Sequence, residues 1–198
     1  ASSPLVKPKI EGPEPEIERE HEASMLKFLS MRLCLMSMCS LVTIMSIAGP
    51  EILSINESGK LNQKSSLRKI DLVEGEHAVH WSNMESKKAF NVYNFDGNLK
   101  AATVINLKIY SMAPTGQVIY LAAYSENPTT EKEDYYKLPF TVDWTGWKTV
   151  SLQVSDFKVV REPVGWESIS AVRLASHWSK DPKPGTDIYI QSIVAAPS

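Results

Sequence analysis

The residues best equipped for chemistry on a partner molecule are aromatic. Trp81, Trp144, Trp147, Trp166, Trp178, Tyr135 and Tyr136 all fall in the last two thirds of the chain, beside short apolar runs and turns. Reactive groups are scattered by comparison. The four histidines stand at 21, 77, 80 and 177. His77 and His80 are three apart in an extended segment, so they point to opposite faces and cannot share a metal. The chain carries no Gly-x-Ser-x-Gly elbow and no glycine-rich phosphate cradle. Asp143 reads as a turn residue before Trp144 rather than a general acid. Cys34 and Cys39 lack the ligand company of a structural zinc site. These patterns describe a binding module with no catalytic residues and no metal ligands.

Aromatic rings bind the apolar C–H faces of sugars while polar neighbours bond the hydroxyls, and the same rings anchor protein interfaces. The contact candidates are Trp81, Tyr136, Arg173, His177 and Trp178. Arg173, between Val172 and Leu174, is placed on an outward face where its guanidinium can bond hydroxyls or a partner carboxylate. Trp147, ahead of the alternating Val150, Leu152 and Val154, is expected in the core.

The elements that must hold these side chains are strands. Val104–Tyr110 alternates, with Ile105, Leu107 and Ile109 on one side, and a hairpin through Ala113-Pro114-Thr115-Gly116 is expected to lead into Val118–Tyr124. Further strands are expected at 136–142, 147–154, 168–175 and 187–194, broken at Asp143–Gly146, Arg161–Gly165 and Asp181–Gly185. One helical turn is expected, near Ser155–Phe157 or Trp166–Ser168. About eight short strands without a helical period predict an all-β fold, two antiparallel sheets packed face to face.

Ahead of this domain the composition changes. Residues 1–24 hold six glutamates, two lysines, one arginine and four prolines, an acidic composition that predicts an extended arm. Leu33–Pro50 carries no charge over 18 residues, and residues 25–48 are read as one hydrophobic helix. That length nearly spans a bilayer core, so a retained membrane anchor is expected. A signal peptide ending near Ala48 is the alternative. The opening Ala1-Ser2-Ser3-Pro4 reads as a processed end and favours the anchor. Residues 49–69 form a linker and first strand, and 70–198 the sandwich. Whole-chain net charge is −2, which gives no sign of nucleic-acid binding.

Several stretches are more specific than the fold. Gly75–Asn83, Tyr135–Lys148 with its Asp143-Trp144-Thr145-Gly146-Trp147 signature, Ile169–Leu174 and Gly185–Ile193 resemble the strands of carbohydrate-binding-module jelly rolls of galactose-binding-like type. They are similar to the N-terminal domains of bacterial polysaccharide lyases and to the CIA30 domain of membrane-complex assembly factors. The resemblance implies a jelly-roll sandwich over roughly 70–198. It also implies a structural calcium, but Gln191 and Ser192 stand where the family carries carboxylates, so no cofactor is expected. A lyase would continue into a catalytic domain, whereas this sequence ends at Ser198.

Two functions follow. The first is a non-catalytic, single-pass membrane accessory subunit, in a thylakoid or mitochondrial setting, whose partners are other subunits of a membrane complex and membrane lipid. The alternative is a secreted or surface-anchored glycan-binding module with a polysaccharide ligand.

Overall fold

The computed structural model describes residues 49–82, 84–179 and 183–197, all within the compact unit Ile47–Ser198. The acidic arm of residues 1–24 and the hydrophobic helix of 25–48 lie outside the described residues, as does the Asp181-Pro182 step. Among the described residues no helix is long and apolar enough to cross a membrane.

The described chain is a sequence of strands: β1 (Glu51–Leu53), β2 (Lys64–Ser65), β3 (Ile70–Val73), β4 (Glu76–Trp81), β5 (Ala89–Tyr93), β6 (Val104–Ser111), β7 (Gln117–Tyr124), β8 (Tyr135–Val142), β9 (Gly146–Gln153), β10 (Lys158–Val160), β11 (Ala171–Ala175) and β12 (Ile188–Ala196). Both places read as a possible helical turn form one, as 3-10 turns at Val154–Asp156 and Trp166–Ser168. Every pairing is antiparallel. One sheet runs β3-β4-β12-β6-β9 with β1 also on β12; the other runs β10-β8-β7-β11-β5-β2.

The alternation that predicts the strands also builds the core. Ile105, Leu107 and Ile109 of β6 and Val79, Ile188 and Ile190 of the same sheet are fully buried. Ile119 and Leu121 of β7, Phe90 and Val92 of β5, and Val172 and Leu174 of β11 meet them from the other sheet. Each such side chain contributes about 1.5–3 kcal/mol of burial.

Two expectations are corrected. The segments joined by Ala113–Gly116 are not a hairpin: β6 lies in the first sheet between β12 and β9, and β7 in the second between β8 and β11. The intervening turn arches across the sandwich, held by Met112 N–H to Asp187 O (3.2 Å) and Gly116 N–H to Val142 O (2.9 Å). Alternation fixes which side chains enter the core but not which strand lies alongside, so arch and hairpin share one pattern. The Asp143–Thr145 connection crosses between sheets in the same way, with Gly146 supplying a φ of +85°.

Trp147 is the second correction. Val150 and Leu152 pair with Leu107 and Ile105 on the core face, and Trp147 pairs with Tyr110 on the opposite face. It is half-buried there, edge-on to Tyr110 at 5.4 Å. The parity of 147 against 150 and 152 already requires this in an unbulged strand.

Candidate functional site

The outer face of the second sheet collects the side chains that alternate with its core residues. Strand register places them in rungs. One rung runs Val160, Tyr135, Tyr124, Ala171, Tyr93 and Lys64; the next runs Lys158, Lys137, Ala122, Arg173 and Asn91; a third holds Pro139, Tyr120, Ala175 and Ala89. A cationic row thus lies between two rows that carry aromatic rings. Ala122 and Ala175 are fully buried although they face outward, because the large neighbours close over them.

The rings touch one another. Trp178 lies nearly parallel to Tyr135, centroids 5.4 Å apart at 23°, and edge-on to Tyr120 at 6.0 Å. Tyr135 continues to Tyr124 at 5.2 Å. The Lys137 ammonium stands 5.7 Å from the Tyr120 ring and 5.8 Å from that of Trp178. The Arg173 guanidinium covers Tyr124 at 4.7 Å; its Nε–H donates to Asn91 Oδ1 at 2.7 Å, and its terminal nitrogen lies 3.6 Å from Glu133. Burial pushes the Tyr124 phenol well above its ordinary range, against the opposing pull of Arg173. Its hydroxyl is buried and has no hydrogen-bond partner among the described residues.

Local hydrogen bonds hold this face in place. Trp178 follows β11 on a turn in which the Ser176 N–H (3.1 Å), Ser176 Oγ (3.2 Å) and His177 Nδ1 (3.0 Å) all reach the Lys88 carbonyl. With a carbonyl as partner, Nδ1 is the protonated nitrogen of His177. The β7–β8 loop is organised by Asp134. Its carboxylate accepts from the Thr130 hydroxyl, from Glu162 N–H (2.9 Å) and from Asn127 N–H (3.3 Å). The Thr130 bond, then the Glu162 bond, lowers the Asp134 carboxyl below the usual carboxylate range.

Three of the five contact candidates, Arg173, His177 and Trp178, meet on this face. Two do not. Trp81 is fully buried, tilted against Phe90 at 6.3 Å, and its indole N–H donates to Lys87 O at 2.7 Å. It anchors the loop that presents the Lys88 carbonyl, so it supports the face from inside the core. Tyr136 points inward, in register with core residue Ala123, and stacks on Trp166 at 4.5 Å. It lies opposite Tyr135 in the pleat. Tyr120, Tyr124, Tyr135 and Lys137 were not among the candidates. Their signal was parity: they fall out of phase with Ile119, Leu121, Phe140 and Val142, which face the core from β7 and β8.

The opposite outer face carries a second group. His80 stacks on Tyr189 at 4.3 Å, and its ring nitrogens lie 2.8 Å from Asp71 and 2.5 Å from Asp187. Lys69 pairs with Asp71 at 2.8 Å, which lowers the Asp71 carboxyl and raises the Lys69 ammonium. This array ties β3, β4 and the start of β12 together. Its groups are engaged with one another, which fastens this edge of the sheet.

Against known structures, the chain matches a family 11 carbohydrate-binding module from Clostridium thermocellum in complex with a β-1,3-1,4-mixed-linked tetrasaccharide, with a TM-score of 0.55, 13% identity, and coverage of 76% of this chain and 98% of that one. The fold is that of a carbohydrate-binding module. The family 11 module of the cellulosomal cellulase Lic26A-Cel5E from Clostridium thermocellum also matches the chain, with a TM-score of 0.53, 15% identity, and coverage of 75% and 96%. No family model matches the chain, and no curated protein sequence matches it. The module therefore shares its architecture with these proteins at a level of identity that speaks for fold alone. Within that architecture, the described aromatic row with adjacent cations lies on the outer face of the second sheet.

Proposed function

We propose that this chain is a non-catalytic glycan-binding module that holds a polysaccharide across the outer face of its second sheet. The observation that carries this reading is the contiguous set Tyr120, Trp178 and Tyr135, backed by the buried Tyr124 and bordered by Lys137, Arg173 and Asn91, on one face of a carbohydrate-binding-module fold. Rings stack on sugar C–H faces, and the amide and cations bond hydroxyls. The mixed-linkage glucan of the structural neighbour is the natural first ligand to test.

Calorimetry of the full chain against mixed-linkage β-glucan, xylan, mannan and uronate polymers should give micromolar binding to at least one, near −7 kcal/mol. Glycan chain length should stay unchanged on incubation. Affinities weaker than millimolar throughout would overturn the reading and favour a docking role in a membrane complex. The uncharged Leu33–Pro50 run supports a tethered form of the same module, at a membrane or cell surface. Alkaline carbonate extraction of native membranes tests that: a tethered module stays in the pellet.

A further inference from the structure

The rung of Lys158, Lys137, Ala122, Arg173 and Asn91 gives the platform a charge as well as a shape. Lys137 and Arg173 flank the fully buried Ala122, one strand to each side, so their backbone positions stand about 10 Å apart across a small-residue floor. Lys137 makes no ion pair among the described residues and is held instead over the rings of Tyr120 and Trp178. Arg173 is only partly satisfied. Asn91 takes its Nε–H, and the one carboxylate paired with it among the described residues, Glu133, is 3.6 Å away with a side chain 57% exposed. The contrast with the other sheet is direct: there Lys69 lies 2.8 Å from Asp71 and Lys108 2.5 Å from Glu76. A cation kept beside stacking rings, without a protein carboxylate, suits a ligand that brings its own.

We propose that the platform selects an acidic pyranoside, a hexuronate, whose ring packs against the stacked Trp178–Tyr135 pair and whose carboxylate lies between Lys137 and Arg173. This rests on the glycan-binding reading and specifies the sugar class within it. Sulfated sugars share the anionic chemistry, and the experiment separates them.

The full chain is titrated with oligomers of galacturonate, mannuronate and glucuronate, with the carboxyl-reduced neutral counterpart of each, and with a sulfated galactan. At least one uronide is expected to bind about tenfold more tightly than its reduced counterpart, the effect of one charge-assisted contact. That ratio should shrink as salt rises from 0.05 to 0.5 M, because the contact is partly exposed (concentrations about those needed to shorten screening severalfold). Lys137→Met should collapse the ratio toward one, whereas Lys148→Met, whose lysine pairs with Asp143 in the first sheet, should leave it intact. Arg173→Met is a second probe, and the salt dependence of the unmodified chain serves if that variant folds poorly. Equal affinity for uronide and reduced glycan, or a ratio that ignores both salt and Lys137, overturns the proposal while leaving glycan binding standing. Binding of the sulfated chain without any uronide overturns the carboxylate assignment. Binding of no glycan overturns this proposal and the glycan reading together.

Discussion

Replacing Trp178 by alanine separates a ligand platform from a decorative aromatic surface. The indole lies against Tyr135 at 5.4 Å and Tyr120 at 6.0 Å, and the Lys137 ammonium stands 5.8 Å from its ring. Each aromatic pair contributes about 0.5–1.5 kcal/mol beyond area burial, so losing two costs about 1–3 kcal/mol of stability. In a domain of this size that lowers Tm by roughly 2–12 °C, leaving the fold intact. Binding weakens too. An aromatic anchor at the centre of a binding site is worth about 2 kcal/mol or more by alanine substitution, and ~2 kcal/mol is a loss of roughly thirtyfold in Kd. Calorimetry on whichever glycan binds best, with Tm measured on the same preparations, reads both quantities. Trp147→Ala is the control, since Trp147 sits on the opposite face against Tyr110 and Lys108. A loss under threefold for Trp178→Ala, or an equal loss for Trp147→Ala, would refute the placement of the site.

Trp81→Ala should destabilise the domain by about 3–5 kcal/mol, because it empties a fully buried site and orphans the Lys87 carbonyl; chemical denaturation checks this. Trp147→Ala should cost far less, about 1 kcal/mol, because its ring is half-buried and its indole N–H has no acceptor among the described residues to lose. Asp134→Asn should loosen the β7–β8 loop, seen as faster amide exchange at Asn127 and Glu162. Its sign with pH is fixed: the folded-state carboxyl is depressed, so the stability that Asp134 confers is fully present above the ordinary value of 3.8. That contribution is lost as pH falls through the lower folded-state value, and the gap between parent and variant should close below pH 3.8. Gly97→Ala should destabilise strongly in the same denaturation assay, since a Cβ there would sit 2.0 Å from the Ile169 carbonyl oxygen.

Much of the fold was written in period-two alternation. Ile105, Leu107 and Ile109 were legible as one buried row because each faces the core whichever strands lie beside it. Arg173 was legible as outward-facing for the same reason, between buried Val172 and Leu174. Parity also marked Trp147 as opposite in face to Val150 and Leu152, and Tyr136 as in phase with Leu138, Phe140 and Val142; the sequence held that information although aromatic size pointed the other way. What alternation could not supply was lateral order. Whether β6 pairs with β7 or arches away from it depends on contacts with β12 and β9 far along the chain. The same non-local pairing brings Lys137 and Arg173 into one rung, and folds the turn after β11 so that Trp178 lands on Tyr135. Local residue types set each strand's two faces; only the packing of the whole sandwich decided which faces became neighbours.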